Sequence, residues 1–238
     1  LNLALAVGAY EGRGYGEAVG AFITDEGLTI PAPGDLDAAI AAGAAADADE
    51  VTLARAAAAA DLKAIMRYIP ADPGFLHVPH PFKTYSLQAA AYLAGTPSTA
   101  HPMFGHDIIY THPLNRGAPI GRTADCDFLS FVDSVSKLEQ GVYLSVGSAV
   151  MSPMIFEKAL SMSRNVARQR GQAIENFTIH VVDLAPATWD WAHDGEPPQD
   201  NPAYYLRFCK TFSRMGGRMT YTSADNRAFL VALCHELA

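Results

Sequence analysis

The chain has 238 residues, a hydrophobic fraction of 50% and a formal net charge of −8. That composition excludes a disordered chain and disfavours nucleic-acid binding through a basic face. No apolar run approaches the roughly 20 residues of a membrane span, so no membrane partner is expected.

Residues 1–34 are Gly-rich, and Gly12-Arg13-Gly14-Tyr15-Gly16 has the look of a phosphate loop. No β-branched strand precedes it, and glycine spacing alone carries little weight, so a helix end or a subunit-contact loop is expected there. Residues 35–69 are Ala-rich and read as helices. Asp35 is the expected N-cap for Leu36 to Ala46, and Asp49 for Glu50 to Tyr68. Pro70, Pro73 and Gly74 end that stretch. A short strand over Phe75 to Val78 and a helix over Thr84 to Leu93 follow.

From there the pattern alternates. Strands are predicted at Asp107–Tyr110, Gly141–Val146, Phe177–Asp183 and Arg218–Thr222. Helices are predicted at Thr123–Leu138, Pro153–Arg170, Pro202–Met215 and Ala224–Leu237. Continuous apolar strands alternating with helices predict an α/β fold, with a mainly parallel sheet and helices on both faces. One α/β domain over 1–238 is expected, with a helical part over 1–100 and a regular βα part over 101–238. Leu1–Val7 is too short, and has no basic flank, for a signal peptide. Because the chain opens without Met, residues preceding Leu1 are expected.

In such sheets ligands bind beyond the carboxyl ends of the strands. Those ends are His112–Gly121, Gly147–Ser152, Asp183–Asp200 and Thr222–Asn226. Gly147, Ser148 and Ala149 form a small-residue turn ahead of a helix, where backbone N–H groups receive an anionic or polar group. Asp183 follows its strand, where a carboxylate holds ribose hydroxyls or an amine. His112 ends the Asp107–Tyr110 strand and is the candidate acid/base, against a reading as a turn histidine before Pro113.

The order of these motifs resembles the deoxyhypusine synthase family, a Rossmann-like fold that binds NAD. Pro113 to Gly121 is similar to the family's proline and Gly-x-x-Gly segment, which brings Gly117 and Gly121 into the expected cofactor site. Gly141 to Val150 is similar to its strand and Gly-rich turn, and Ile179 to Asn201 to its polar loop. The likeness runs from about residue 107 onward. The family's lysine, which forms an imine with the transferred aminobutyl group, corresponds to a place near Ser152, and the nearest lysine is Lys158. No hydroxyl forms that imine, so the resemblance implies the fold and an NAD-sized crevice without deoxyhypusine synthesis.

Five of the eight histidines, His77, His80, His101, His106 and His112, fall within 36 positions. Their spacing matches no zinc pattern, so loop histidines bonded to backbone are expected and no metal is assigned. Val146-Gly147-Ser148-Ala149-Val150 is not a nucleophile elbow, and Ser152 reads as an N-cap. Trp189 and Trp191 flank Asp190 in a segment read as a lid or an oligomer contact, with a polyamine or nucleoside base as the alternative. Tyr204, Tyr205, Phe208 and Phe212 read as core or interface.

Cys126, Cys209 and Cys234 are widely spaced, which suits free thiols in a reducing cytoplasm. Asp125 and Asp127 beside Cys126 disfavour a reactive thiolate. Arg164, Arg168 and Arg170 fall at the end of a predicted helix, where cations suit the dipole. Three functions stay open: a small-molecule enzyme binding NAD or a related nucleotide, a phosphosugar-binding or isomerase-type domain, and a non-catalytic oligomeric binding module. A homo-oligomer is expected on composition.

Overall fold

In the computed structural model, residues 1–69 and 71–237 are described. Pro70, one of the predicted helix stops, lies outside them. The chain forms two compact units, residues 1–131 and 132–238.

The first unit is mostly helical. Its helices are α1 (Asn2–Glu11), α2 (Tyr15–Thr24), α3 (Pro33–Gly43), α4 (Glu50–Met66), α5 (Leu87–Leu93) and α6 (Gly117–Ser136), whose last turns enter the second unit. Asp49 caps α4 as expected, its side chain accepting the N–H of Thr52 at 2.8 Å. Asp35 does not cap α3. Ala32 holds that position, because Pro33 opens the helix with a φ already suited to it. Strands β1 (Gly27–Ile30) and β2 (Gly74–His77) pair antiparallel, Gly27 opposite His77 and Ile30 opposite Gly74. Ile30, Leu36, Leu62 and Ile65 are buried in a core that α1, α3 and α4 build with this strand pair. The 84–93 helix begins later than expected. A 3₁₀ turn at Lys83–Tyr85 comes first, and the Ser86 hydroxyl then caps α5 by accepting from Ala89 N.

Two further expectations in this unit fail. Asp107–Tyr110 is not a strand, since Ile108–Thr111 makes a 3₁₀ turn with Tyr110 N donating to Asp107 O at 3.3 Å. Gly117 and Gly121 are not in a loop either; both lie in the first two turns of α6.

The second unit carries the parallel sheet. Strands β3 (Val142–Val146), β4 (Thr178–Asp183) and β5 (Arg218–Ser223) run parallel in that order, with Val146 beside Val182 and Val182 beside Thr222. Helix α7 (Met151–Gln169) is the crossover from β3 to β4. Between β4 and β5 the chain forms α8 (Trp191–Asp194), a 3₁₀ turn at Pro202–Tyr205 and α9 (Arg207–Ser213), so the single predicted helix there is split. Helix α10 (Asn226–Leu237) follows β5.

Side chains alternate across a strand, so Tyr143 and Ile179 share one face and Leu144 and His180 the other. On the first face, Phe156 of α7 stacks on Tyr143 at 4.1 Å between centroids and lies 6.0 Å from Phe212 of α9. On the second, Phe229 of α10 stacks on His180 at 5.8 Å. Cover is uneven. Val142 and Leu144 on that second face are 61% and 41% exposed, while α10 packs against β4.

Candidate functional site

The carboxyl ends of β3, β4 and β5 bring four predicted site residues to one edge of the second unit. The Gly147 N–H donates to Val182 O at 2.9 Å, which ties the turn after β3 to the end of β4, one residue before Asp183. Gly147 has φ +66°, a conformation that costs other residues energy. It is also approached closely: a Cβ there would collide with Asn226 Nδ2. Gly147 and Ala149 are exposed, and Ser148 and Asp183 are half-buried.

Hydroxyl groups gather behind this turn. Ser145, 2% exposed, donates from Oγ to Ser152 Oγ at 2.8 Å, and Tyr143 Oη bonds the same oxygen at 2.7 Å. Burial pushes the Tyr143 phenol up, against the opposing pull of that bond. Ser152 is not the N-cap. It sits in the first turn of α7, and its N–H donates to Ser148 Oγ at 3.0 Å. Ser148 therefore supplies the capping oxygen from beyond the helix, while Val150 holds the cap position without a side-chain bond.

This arrangement limits the chemistry. One orphan donor of α7 is already satisfied by Ser148, and Pro153 has no N–H. Val150 and Met151 are left as the amides that can meet an anion there. No imidazole bonds the serines, so the base that a nucleophilic serine needs is missing among the described residues.

Asp183 and Asn226 supply acceptors. Asp183 Oδ1 takes the N–H of Ala185 at 3.1 Å, and its main-chain oxygen takes that of Ala224 at 3.0 Å. Asn226 Oδ1 is buried without a hydrogen-bond partner among the described residues, an expensive state for an amide oxygen. Asp225 accepts from Ala228 N at 2.9 Å and serves the start of α10. Below Asp183, burial first and the nearby carboxylate second push the Cys209 thiol up to about 12. Burial likewise pushes Tyr221 up to about 12, and its Oη donates to Ala185 O at 2.5 Å.

The other predicted site residues belong to the first unit. His112 ends a 3₁₀ turn and not a strand, and its Nδ1 accepts the N–H of Leu114 at 3.1 Å. That is the bonding of a turn histidine. Gly117 opens α6 and Gly121 lies in its second turn, so neither follows the end of a strand. The remaining loop histidines are dispersed: His80 packs edge-on to Phe22 at 4.7 Å, and His101 Nε2 meets Thr99 Oγ1 at 3.1 Å. Among the described residues, no three His, Cys, Asp or Glu side chains converge to hold a metal ion.

Two features of the second unit were not expected. His180 bonds Thr220 Oγ1 at 2.5 Å and Thr222 Oγ1 at 3.2 Å, and burial lowers its pKa. Only the register that sets these threonines beside it reveals the network. Trp191, read as lid or contact, is 4% exposed and belongs to the core beside β5. A cavity of about 660 Å³ also opens at the amino ends of the strands, bounded by Gly141, Thr178, Trp191 and Arg218. It lies at the opposite end of the sheet from the Gly147 turn.

No helix among the described residues is long and apolar enough to cross a membrane. Compared with known proteins, the chain matches no family model, no curated protein and no solved structure.

Proposed function

We propose that the second unit is a Rossmann-like domain, divergent from deoxyhypusine synthases, that binds NAD or a related nucleotide at the carboxyl edge of its sheet. The observation that carries this reading is the meeting of Gly147, Asp183 and Asn226. The positive-φ turn at Gly147, packed by Asn226, is tied to the end of β4, where the half-buried Asp183 carboxylate offers an acceptor. Ribose hydroxyls are donors that match Asp183. The amides of Val150 and Met151 suit a phosphate oxygen, with Ser148 and Ala149 along its path.

The reading assigns no imine chemistry. Lys158 is ion-paired to Glu157 at 3.3 Å on an exposed part of α7, a turn and a half past Ser152. It also assigns no acid/base role to His112, whose place at a strand end was the reason for considering it. A phosphosugar ligand is the alternative occupant, because its phosphate would use the same Val150 and Met151 amides. Exposed Val142 and Leu144 support a homo-oligomer as part of the same reading. A small-molecule enzyme of the cytoplasm fits the reading.

Isothermal titration of NAD, ADP-ribose, a sugar phosphate and spermidine tests it. NAD and ADP-ribose are expected to bind saturably and to lose at least tenfold in affinity in Asp183→Ala. Binding of the sugar phosphate alone, or of none of the four, would overturn the nucleotide assignment.

A further inference from the structure

Away from the carboxyl edge, the helical layer of the second unit holds a concentrated positive surface that the nucleotide reading leaves unused. Two adjoining hollows, of about 500 Å³ each, lie along the later turns of α7 and the end of α9. Arg164, Arg168, Arg214 and Met215 line both, so the two hollows form one groove. Three guanidinium groups around one groove stand out in a chain of net charge −8.

The three arginines are held differently. Arg164 donates from Nε to Ile174 O at 3.0 Å and from Nη1 to Met215 O at 2.8 Å. Two carbonyls thus fix the plane of its guanidinium and leave Nη2 beside Gly216. Arg214 is clamped by Glu196 through two bonds of 2.8 Å, and Lys210 reaches the same carboxylate at 3.2 Å. Arg168 lies one turn beyond Arg164 on the same face of α7 and has no hydrogen-bond or ion-pair partner among the described residues. The helix dipole accounts for a cation in the last turn of α7. It does not account for a fixed Arg164 or for Arg214 arriving from a different element.

Acidic groups border the groove at its ends. Glu157, in the first hollow, is ion-paired to Lys158 at 3.3 Å, and Glu175 borders the second. The positive balance is therefore greatest where the hollows join, between Arg164 and Arg168.

We propose that this groove binds a small, multiply charged oxyanion of the phosphate class, held between Arg168 and the free edge of Arg164. A guanidinium presents parallel N–H donors that match two oxygens of one phosphoryl group. A fixed Arg164 loses little side-chain freedom on binding, whereas Arg168 becomes ordered by it. The groove does not depend on the nucleotide site, since its residues come from other parts of α7 and α9.

The test is calorimetric titration of inorganic pyrophosphate and inorganic phosphate, with potassium chloride at matched ionic strength as the control. Pyrophosphate is expected to bind saturably, more tightly than phosphate, and at least tenfold more weakly to Arg168→Gln. Mass-mapped phenylglyoxal labelling of the unaltered protein gives a second readout that needs no variant. Pyrophosphate is expected to slow labelling of Arg168 and to leave exposed Arg170, outside the groove, unchanged. Heats that only track ionic strength, equal affinity in Arg168→Gln, or equal protection of Arg168 and Arg170 would each overturn the proposal.

Discussion

The Asp127 carboxylate accepts the backbone N–H of Gly16 at 2.9 Å, across 111 positions of sequence. The same oxygen takes the N–H of Ala100 at 2.6 Å. Gly16 lies in the first turn of α2, so a buried carboxylate from α6 occupies the positive end of that helix. The segment Gly12–Gly16 is thus filled by an anion of the protein itself. Gly14 is required there, because a Cβ would collide with Asp127 Oδ1.

Replacing Asp127 by Ala leaves the buried Gly16 amide and the half-buried Ala100 amide without this partner. A loss of about 2–3 kcal/mol in urea unfolding is expected. Burial holds the Asp127 carboxyl above its ordinary value, against the pull of its N–H donors. The native state therefore keeps a proton that the unfolded chain has already lost. Between the ordinary aspartate value, about 3.9, and the raised native value, this residue makes stability fall as pH rises. Asp127→Asn lacks that slope, so its stability relative to the unaltered protein should climb across the same interval. A pH-independent difference would contradict the assignment.

Gly147→Ala should cost about 1–2 kcal/mol from its positive φ alone, with the collision against Asn226 added. Removing the Asn226 side chain in the same chain recovers the collision and not the backbone cost. Simple additivity of the two substitutions would show that these side chains do not meet.

Ser152→Ala takes the shared partner from both Ser145 and Tyr143. Since Ser145 is buried, the expected loss is about 1–2 kcal/mol in thermal or urea unfolding. Tyr143→Phe keeps the Ser145–Ser152 bond and should cost less. The reverse order would contradict this hydroxyl arrangement.

Thiol labelling of the folded protein should follow exposure and thiolate content. Cys234 is exposed and is expected to react first. Cys126 is also exposed, but burial of its sulfur and then the Asp127 charge raise its pKa, which slows it. Cys209, fully buried and pushed up to about 12, should react only on unfolding. Early labelling of Cys209 would contradict the packing of α9 on the sheet.

The parallel sheet was legible in the sequence because β3 and β4 carry short, mainly apolar runs on either side of the long helix α7. Thr178–Asp183 and Val142–Val146 lie within one residue of their expected limits. Asp107–Tyr110 failed because four apolar-flanked residues fit one helical turn as well as a short strand, and no neighbour pairs with them. Gly117 and Gly121 misled because a glycine pair spaced by four also suits one face of a helix, and Pro119 is tolerated in its first turn. The edge formed by Gly147 and Asp183 was legible from strand ends alone. Asn226 closing on Gly147 was not, because that contact depends on the start of α10. Asp127 was hidden for a similar reason. An acidic residue inside a helix reads as solvated until its distant amide partners are known.

In the proposed complex a nucleotide occupies the edge where β3 meets α7. Hydrogen–deuterium exchange with and without saturating NAD tests it most directly, because it reports which amides the ligand covers. Slower exchange confined to residues 147–152 and 183–185, abolished in Asp183→Ala, is the result expected. Binding without protection at either segment, or no NAD-dependent change anywhere, would contradict it.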